Sequence, residues 1–312
     1  MLSRHNIRIK VLQSLYSYSQ SEHTSTATAE KSYLKAVQES YRLYLLNMLY
    51  LIKVADYSKT DFDIKSRKFV PTEEDKKATL KLYENPVLVA LRENEDFHAR
   101  LRREKLSHLI DDDLVRTLYQ KFAKSEYHKT YIEMEPVPLR EHQYCLVNLY
   151  KSMLEEELFL DHLEDLSPTS EDDQSLIFGA IKRSIRALPE DEEFYKEQTP
   201  NQEFVHDFGK ELLYKAIRHE KELQEMIVEK LNNWKEDRVA VLDMLLLKLG
   251  ICEFLYFESI PTKVTINEYV GLAKDYSTDK SKRFINGILD RLMKDLDSKG
   301  LINKEGRGLK EN

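Results

Sequence analysis

Glycine and proline are scarce in this chain of 312 residues, which holds only eight of each. Ordinary proteins use about 7% glycine and about 5% proline. β-Sandwiches and barrels need both residues often, because their many tight turns are built from them. The scarcity therefore predicts an all-α fold. Since 41% of the residues are apolar, the chain can also bury a core, which excludes wholesale disorder.

The distribution of apolar residues argues against a membrane protein and against a secreted protein. The most apolar window, residues 239–256, is interrupted by charged side chains and falls short of the roughly 20 apolar residues of a membrane span. Basic residues are spread through 1–20 without a separate apolar block, unlike a secretory signal. Cys145 and Cys252 stand outside any Cys/His cluster, so neither a metal site nor a disulfide framework is predicted. We expect a cytoplasmic protein without a cofactor.

Apolar residues recur three or four positions apart along most of the chain, which is the spacing of one helix face. Ser3 and Ser170 are candidate N-caps, and Pro86 suits the first turn of a helix. A polar connection is predicted over 58–86, and two or three helices over 86–131. The other predicted helices span approximately residues 3–19, 29–57, 139–163, 170–188, 204–231, 234–257, 264–276 and 280–297.

A weak internal repeat relates two helical stretches, residues 157–185 and 222–250. In this alignment Glu171–Asp172 matches Glu236–Asp237, at an offset of 65 residues. Few positions are identical, so either the shared pattern of capped helices or a true duplication explains the similarity. We predict that residues 30–188 form an extra helical bundle in either case.

Motifs of common catalytic sites are missing. The sequence has no glycine-rich phosphate loop, no G-x-S-x-G nucleophile elbow and no His-Glu-x-x-His metal motif. His219–Glu220 begins like the last of these but lacks the second histidine. The chain is therefore predicted not to be an enzyme.

The net charge of −7 is not that of a typical nucleic-acid-binding protein. The charge is uneven, however, because residues 1–21 contain Arg4, Arg8 and Lys10 and no acid. A local basic patch on an acidic protein is compatible with this pattern.

The stretch from Ile260 to Asp290 carries the most specific pattern. It reads Ile-Pro-Thr-Lys-Val-Thr-Ile-Asn-Glu-Tyr-Val-Gly-Leu-Ala-Lys and, after a polar turn, Phe-Ile-Asn-Gly-Ile-Leu-Asp. Gly287, inside the second predicted helix, costs about 1 kcal/mol of helix stability relative to alanine. Such a glycine suggests the close approach of a neighbouring helix or of a ligand. Packing alone is the other interpretation of this stretch.

These two runs resemble the C-terminal signature of the NusB family of transcription antitermination factors. The similarity extends upstream through Asp237–Arg238 and the apolar helix ending Gly-Ile-Cys-Glu-Phe-Leu, and Arg4, Arg8 and Leu15–Tyr16 are similar to the family's first helix. The resemblance implies an all-α, NusB-like helical bundle with an additional inserted helical region. The implied domains are an arginine-bearing helix over 1–20, a helical enlargement over 21–200, a helical core over 201–299 and a flexible tail over 300–312.

The resemblance also implies a function. The protein would bind single-stranded boxA-type RNA of ribosomal RNA leaders, pair with a NusE-like small-subunit ribosomal protein, and join the RNA polymerase antitermination complex. Cations hold the phosphates of single-stranded RNA, and aromatic rings stack on its bases. Carried onto this sequence, the expected RNA-binding residues are Arg4, His5, Arg8, Lys10, Tyr16, Lys280, Lys282, Arg283 and Phe284.

Two other functional classes stay open. An RNA-modifying enzyme is one, because a NusB-like domain also precedes a ribosomal RNA cytosine methyltransferase domain. This chain has no glycine-rich cofactor loop or catalytic cysteine motif that would support it. The second is a helical interaction scaffold with lost or weak RNA binding. The acidic net charge supports the scaffold, as do His5 and Asn6, which stand where family members often carry further basic residues.

Overall fold

The computed structural model describes residues 1–20, 25–231 and 239–309, and every regular element within these ranges is helical. The predicted all-α fold is therefore confirmed. None of the helices in these ranges is long and apolar enough to cross a membrane. The chain divides into two compact units. Unit 1 comprises Met1 and Gln38–Thr199, and unit 2 comprises Leu2–Val37 and Pro200–Asn312. The four domains predicted from the sequence remain a prediction.

The helices follow one another with short connections. In chain order they are α1 (Arg4–Ser19), α2 (Thr26–Ser66), α3 (Glu73–Lys76), α4 (Pro86–Glu93), α5 (Glu95–Arg103), α6 (Asp112–Lys124), α7 (Glu126–Glu133), α8 (Leu139–Leu154), α9 (Glu157–Leu166), α10 (Ser170–Ala187), α11 (Glu211–Arg218), α12 (Glu220–Val228), α13 (Val241–Tyr256), α14 (Thr262–Tyr276) and α15 (Asp279–Ser298). A π-helical segment, Glu203–Lys210, leads directly into α11.

The start of α1 follows from its sequence. Ser3 accepts a hydrogen bond from the Asn6 backbone N–H, and the Asn6 side chain accepts one from the Ser3 backbone N–H. This reciprocal capping box satisfies donors that would otherwise be unpaired at the helix start. The predicted first helix and its cap are confirmed.

The core of unit 2 is built around α13, which packs against α14, α15, α12, α11 and α1. A helix that is apolar on every side is buried on every side, and most of α13 is inaccessible to solvent. Gly250 allows the closest approach, because a Cβ atom there would meet the Leu289 side chain of α15 at 2.7 Å. Gly209 likewise allows close packing of the π-helical segment, because a Cβ atom there would collide with Ile7 and Tyr33.

Unit 1 is built around the long α2. Its buried tyrosines keep their hydroxyl groups bonded: Tyr44 pairs with Ser184 at 2.7 Å, and Tyr150 donates to Asn47 at 3.0 Å. The predicted helix at Pro86 is confirmed, and Asn85 caps it by accepting from two backbone N–H groups of its first turn.

Several predicted boundaries are wrong. The connection expected over 58–86 is helical up to Ser66, because α2 continues past its apolar stripe with an Asp61–Lys65 pair at 2.7 Å. The helix expected over 139–163 ends at Leu154, and a separate helix, α9, starts at Glu157 and buries Phe159 and Leu163. The stretch 86–131 holds four α-helices, and 204–231 is divided between the π-helical segment, α11 and α12. Thr169, not Ser170, occupies the N-cap of α10.

Two sequence-based interpretations lie outside the described residues. They are the start of the apolar helix at 234–238 and the pair Glu236–Asp237 on which the internal repeat depends. The duplication therefore remains a prediction.

Candidate nucleic-acid interface

Arg8 on α1 forms a buried ion pair. Its Nε and Nη2 atoms donate to the two carboxylate oxygens of Glu253 on α13, at 2.6 and 2.8 Å, which is the bidentate geometry of the strongest charged pairs. The two side chains are 2% and 0% exposed. Burial alone would lower the pKa of Arg8, but the hydrogen bonds and charge of Glu253 outweigh it and raise that pKa. Arg8 therefore stays charged inside unit 2.

Glu253 also receives hydrogen bonds from α14. Thr265 and Tyr269 donate their hydroxyl groups to its carboxylate at 3.1 and 2.7 Å. Burial, and then the charge of Glu253, raises the pKa of Tyr269, so the phenol keeps the proton that it donates. Because buried carboxylates are tolerated only when they are paired, this network explains how a charge can lie inside the most apolar helix. It joins α1, α13 and α14.

Arg4 and His5 lie at the start of α1 and also meet acids. Arg4 donates to Glu203 at 3.1 Å, and His5 Nδ1 lies 2.8 Å from a carboxylate oxygen of Glu268 on α14. Their side chains keep 35% and 43% of their surface exposed. The carboxylate of Glu203 is largely exposed, and exposed pairs contribute little free energy, so an incoming phosphate can compete with Glu203 for Arg4. Glu268 is 28% exposed and also lies 3.3 Å from Nη1 of Arg8, so its pair with His5 belongs to the network around Arg8.

The structure corrects two of the predicted RNA contacts. Arg8 is 2% exposed and Lys10 is 1% exposed, so both lie in the core instead of on the predicted basic surface. A phosphate in solvent has no access to either group. Tyr16, further along the same helix, is 41% exposed and presents its ring to solvent.

The other predicted cations lie together at the start of α15. Lys280, Lys282 and Arg283 are exposed, and none of the three forms an ion pair with a residue whose side chain the structure describes. Thr278 makes no side-chain capping bond at the start of this helix. The helix dipole adds positive potential around the first turn, which holds Lys280. Phe284 follows directly and is half-buried.

Asp243 on α13 anchors this end of α15. Its carboxylate accepts from the hydroxyl groups of Ser277 and Ser281 at 2.7 and 2.8 Å. Ser281 therefore faces the core, which turns the neighbouring Lys282 and Arg283 towards solvent. The sequence-based reasoning missed Asp243 and Glu253 as organising residues. The available signal was a charged residue inside a strongly apolar helix, because such a residue requires a buried partner.

Gly287 does not mark a close helix approach. A Cβ atom at this position would meet nothing within 4 Å. The close approach of α13 and α15 takes place at Gly250 instead.

The described residues offer no obvious metal or thiol chemistry. No group of three or more His, Cys, Asp or Glu side chains in the described ranges could hold a metal ion. Cys145 and Cys252 are buried, and burial raises the pKa of each thiol. A protonated, buried thiol is a poor nucleophile.

The fold and this site define an all-helical protein whose first helix is held to its C-terminal helices by a buried ion pair. Residues 151–294 match the model of the NusB family. Over 103 residues the chain is 41% identical to the transcription antitermination protein NusB of Chloroherpeton thalassium and 45% identical to that of Finegoldia magna. These alignments cover 33% of this chain, and 49% and 74% of the two relatives.

A third relative, the transcription antitermination protein NusB of Salinibacter ruber, is 39% identical over 103 residues, which cover 64% of its length. The chain thus spans between about half and three quarters of the length of these three relatives. It belongs to the NusB family.

Proposed function

We propose that this chain is a non-enzymatic transcription antitermination factor. It binds single-stranded boxA-type RNA of ribosomal RNA leaders together with a NusE-like small-subunit ribosomal protein, and it joins the RNA polymerase antitermination complex. Membership of the NusB family supports the proposal, since the similar proteins are named transcription antitermination proteins. The NusE-like partner is proposed to bind a face of the C-terminal helices of unit 2.

The observation that carries the RNA-binding proposal is the exposed cationic start of α15. Lys280 lies in the first turn of α15, where a cation opposes the helix dipole at a cost of about 0.3–1 kcal/mol, and Lys282 and Arg283 follow in the next turn. A cluster of cations at this end of a helix favours the binding of an anion such as the RNA backbone. Lys280, Lys282 and Arg283 are proposed to contact phosphates, and Phe284 is proposed to contact a base.

The division of charge between the units supports the same surface. Unit 2 holds 24 Lys and Arg against 22 Asp and Glu, whereas unit 1 holds 24 against 33. The acidic net charge of the whole chain thus belongs to unit 1, and unit 2 is slightly basic. RNA is attracted to the unit that carries the proposed site.

On α1 the proposed roles differ from residue to residue. Arg4 and His5 are proposed to exchange Glu203 and Glu268 for phosphates, and Tyr16 to stack on a base. Arg8 is proposed to act indirectly, because its bond to Glu253 holds α1 in place.

A salt titration of RNA affinity tests the α15 surface. The change is Lys282→Ala with Arg283→Ala, and the probe is a labelled single-stranded boxA-type RNA whose binding is followed by fluorescence anisotropy. Each phosphate contact contributes a slope of about −0.7 to the dependence of log affinity on log salt. The double variant should therefore bind more weakly, with a slope smaller by about 1.4.

The matched control removes two cations from the same helix, away from its start, by Arg291→Ala with Lys294→Ala. It makes the same change in net charge and should leave the slope nearly unaltered. Equal effects of the two double variants would contradict a local RNA site at the start of α15.

The scaffold interpretation also has an observation in its favour. The first helix offers fewer free cations than its sequence suggests, because Arg8 and Lys10 are buried and Arg4 and His5 are paired with acids. Measuring RNA affinity with and without the NusE-like protein separates the two functions. RNA binding that appears in neither condition, while the two proteins still bind each other, would favour the scaffold.

A further inference from the structure

Unit 1 contains a groove of about 390 Å³ between α2, α8, α9 and α10, which we call the acidic groove. Its floor is apolar and includes the buried side chains of Leu43, Leu163 and Ile177. Its rim carries five carboxylates and no Lys or Arg, and none of the five forms an ion pair within the described ranges. The carboxylates are those of Glu155, Glu157, Asp161, Glu164 and Glu171.

Helix capping explains only part of this negative charge. Glu157 and Glu171 lie in the first turns of α9 and α10, where the helix dipole favours acids. Glu164 and its neighbour Asp165 lie in the last turn of α9, which contains no basic residue. There the dipole disfavours acids, so these carboxylates weaken the helix. An apolar floor with an uncompensated negative rim fits an occupant that is both apolar and cationic.

Unit 1 also exposes a segment of this complementary chemistry. Residues 64–70, which we call the basic segment, begin in the last turn of α2 and read Ile-Lys-Ser-Arg-Lys-Phe-Val. Phe69 is fully exposed, and Val70 and Ile64 are 79% and 54% exposed. Lys65 and Lys68 pair with Asp61 and Asp75, whereas Arg67 is exposed and forms no ion pair with a residue whose side chain the structure describes. Arg67 is thus the cation that the segment has available for a partner. Large apolar side chains exposed next to one another commonly mark an interaction surface.

The basic segment cannot enter the acidic groove of its own chain. Asn47 lines the groove and Ser66 lies in the segment, and both belong to the single helix α2. At a rise of about 1.5 Å per residue they are held about 28 Å apart. Because every copy has the same spacing between its groove and its segment, two copies can exchange these two parts symmetrically. Two copies with antiparallel α2 helices can therefore place each segment in the other copy's groove.

We propose that the chain forms a dimer in which the basic segment of each copy occupies the acidic groove of the other. Phe69 packs on the apolar floor, and Arg67 pairs with rim carboxylates that include Glu164. The contact buries the exposed ring and supplies cations to the last turn of α9. It involves unit 1 alone, so it is independent of the RNA-binding surface proposed on unit 2.

Sedimentation velocity of the full chain over a range of concentrations, at low and high salt, tests the dimer. At low salt we expect the mass of two chains, and we expect weaker association at high salt because the rim charges are screened. Arg67→Glu and Glu164→Arg should each raise the dissociation constant at least about tenfold, since each places like charges against one another. Phe69→Ser should do the same by removing the apolar contact.

An equimolar mixture of the Arg67→Glu and Glu164→Arg variants gives the sharpest result. In a mixed dimer, the segment of the Arg67→Glu copy meets the groove of the Glu164→Arg copy, so a new acid faces a new base. In the other contact, the native Arg67 of the second copy faces the native Glu164 of the first. Both contacts then join opposite charges, so association should return. Asp165→Arg is the matched control, because Asp165 is exposed on α9 but does not line the groove. It should leave the dimer intact, and circular dichroism should confirm that every variant is folded.

Three outcomes would overturn the proposal. They are a wild-type chain that stays monomeric at every concentration, a dimer that none of the groove and segment variants weakens, and a mixture that associates no better than its components.

Discussion

Unit 2 and unit 1 hold their helices together with different polar chemistry. In unit 2 most of the buried polar side chains are charged: Arg8 and Glu253 pair across α1 and α13, and Asp243 secures the start of α15. In unit 1 they are mostly hydroxyl and amide groups, as in the pairs Tyr44–Ser184 and Tyr150–Asn47. Charges inside a protein demand defined partners, whereas hydroxyl groups tolerate several.

This difference predicts how each unit responds to the loss of a buried polar side chain. Removing one member of a buried ion pair leaves an uncompensated charge, so the geometry around Arg8 and Glu253 is strongly constrained. Removing a buried hydroxyl group leaves only one neutral partner to satisfy. We therefore expect single substitutions at the buried polar groups of unit 2, which holds the proposed RNA surface, to cost more stability than those in unit 1.

The largest effect is expected from Glu253→Ala. Arg8 would stay buried without its bidentate partner and keep only the carboxylate of Glu268, which lies 3.3 Å from its Nη1 atom; breaking a buried pair typically costs about 3–5 kcal/mol. Urea unfolding combined with peptide-resolved hydrogen exchange should show the loss in unit 2. Tyr44→Phe is the counterpart in unit 1 and should cost only about 0.5–1.5 kcal/mol, the value of one hydrogen bond.

A double variant, Arg8→Met with Glu253→Gln, checks the cause of this loss. It removes both charges and keeps an acceptor for Tyr269, so it should recover much of the stability lost in Glu253→Ala. If the double variant is as unstable as the single one, packing around Glu253 matters more than the charge pair, and the contrast between the units weakens.

The second effect is acid sensitivity in unit 1. His128 is 8% exposed, and burial lowers its pKa from 6.5 to about 4. Between these values the unfolded chain binds a proton that the folded chain does not, so stability falls as the pH falls from 6.5 to 4. A shift of this size corresponds to roughly 3 kcal/mol. Unfolding free energies measured across this pH range test it.

His128→Gln provides the reference for that measurement, because glutamine does not titrate. The wild-type chain should lose stability relative to His128→Gln as the pH falls, with the loss seen in unit 1 peptides. Parallel pH curves for the two chains would mean that His128 does not cause the acid sensitivity.

The smallest changes in stability are expected at two glycines of unit 2. Gly209→Ala places a methyl group against Ile7 and Tyr33, and overpacking of this kind typically costs about 1–3 kcal/mol. Gly287→Ala meets nothing within 4 Å and lies inside α15, so it should gain up to about 1 kcal/mol of helix stability. Thermal unfolding of both variants measures the difference. A destabilised Gly287→Ala chain would show that this glycine is constrained after all.

The α15 part of the candidate site was largely predictable from the sequence, and the α1 part was not. Lys280, Lys282 and Arg283 follow one another in a polar stretch, so their exposure follows from local pattern. Arg8 lies on α1 among both polar and apolar residues, where the sequence pattern alone suggests a cation in solvent. Its burial depends on Glu253, which is 245 residues away, and no local rule connects the two positions.

The sequence by itself determined the elements that depend on neighbouring residues. The scarcity of turn residues set the all-helical class, Ser3 set the start of α1, and Asn85 with Pro86 set the start of α4. Only the tertiary structure decided which charges lie inside, and that Gly250 and not Gly287 brings α13 and α15 together. The reason is physical: caps and helix periodicity act within one or two turns, whereas burial of a charge or a glycine depends on side chains that the sequence places far away.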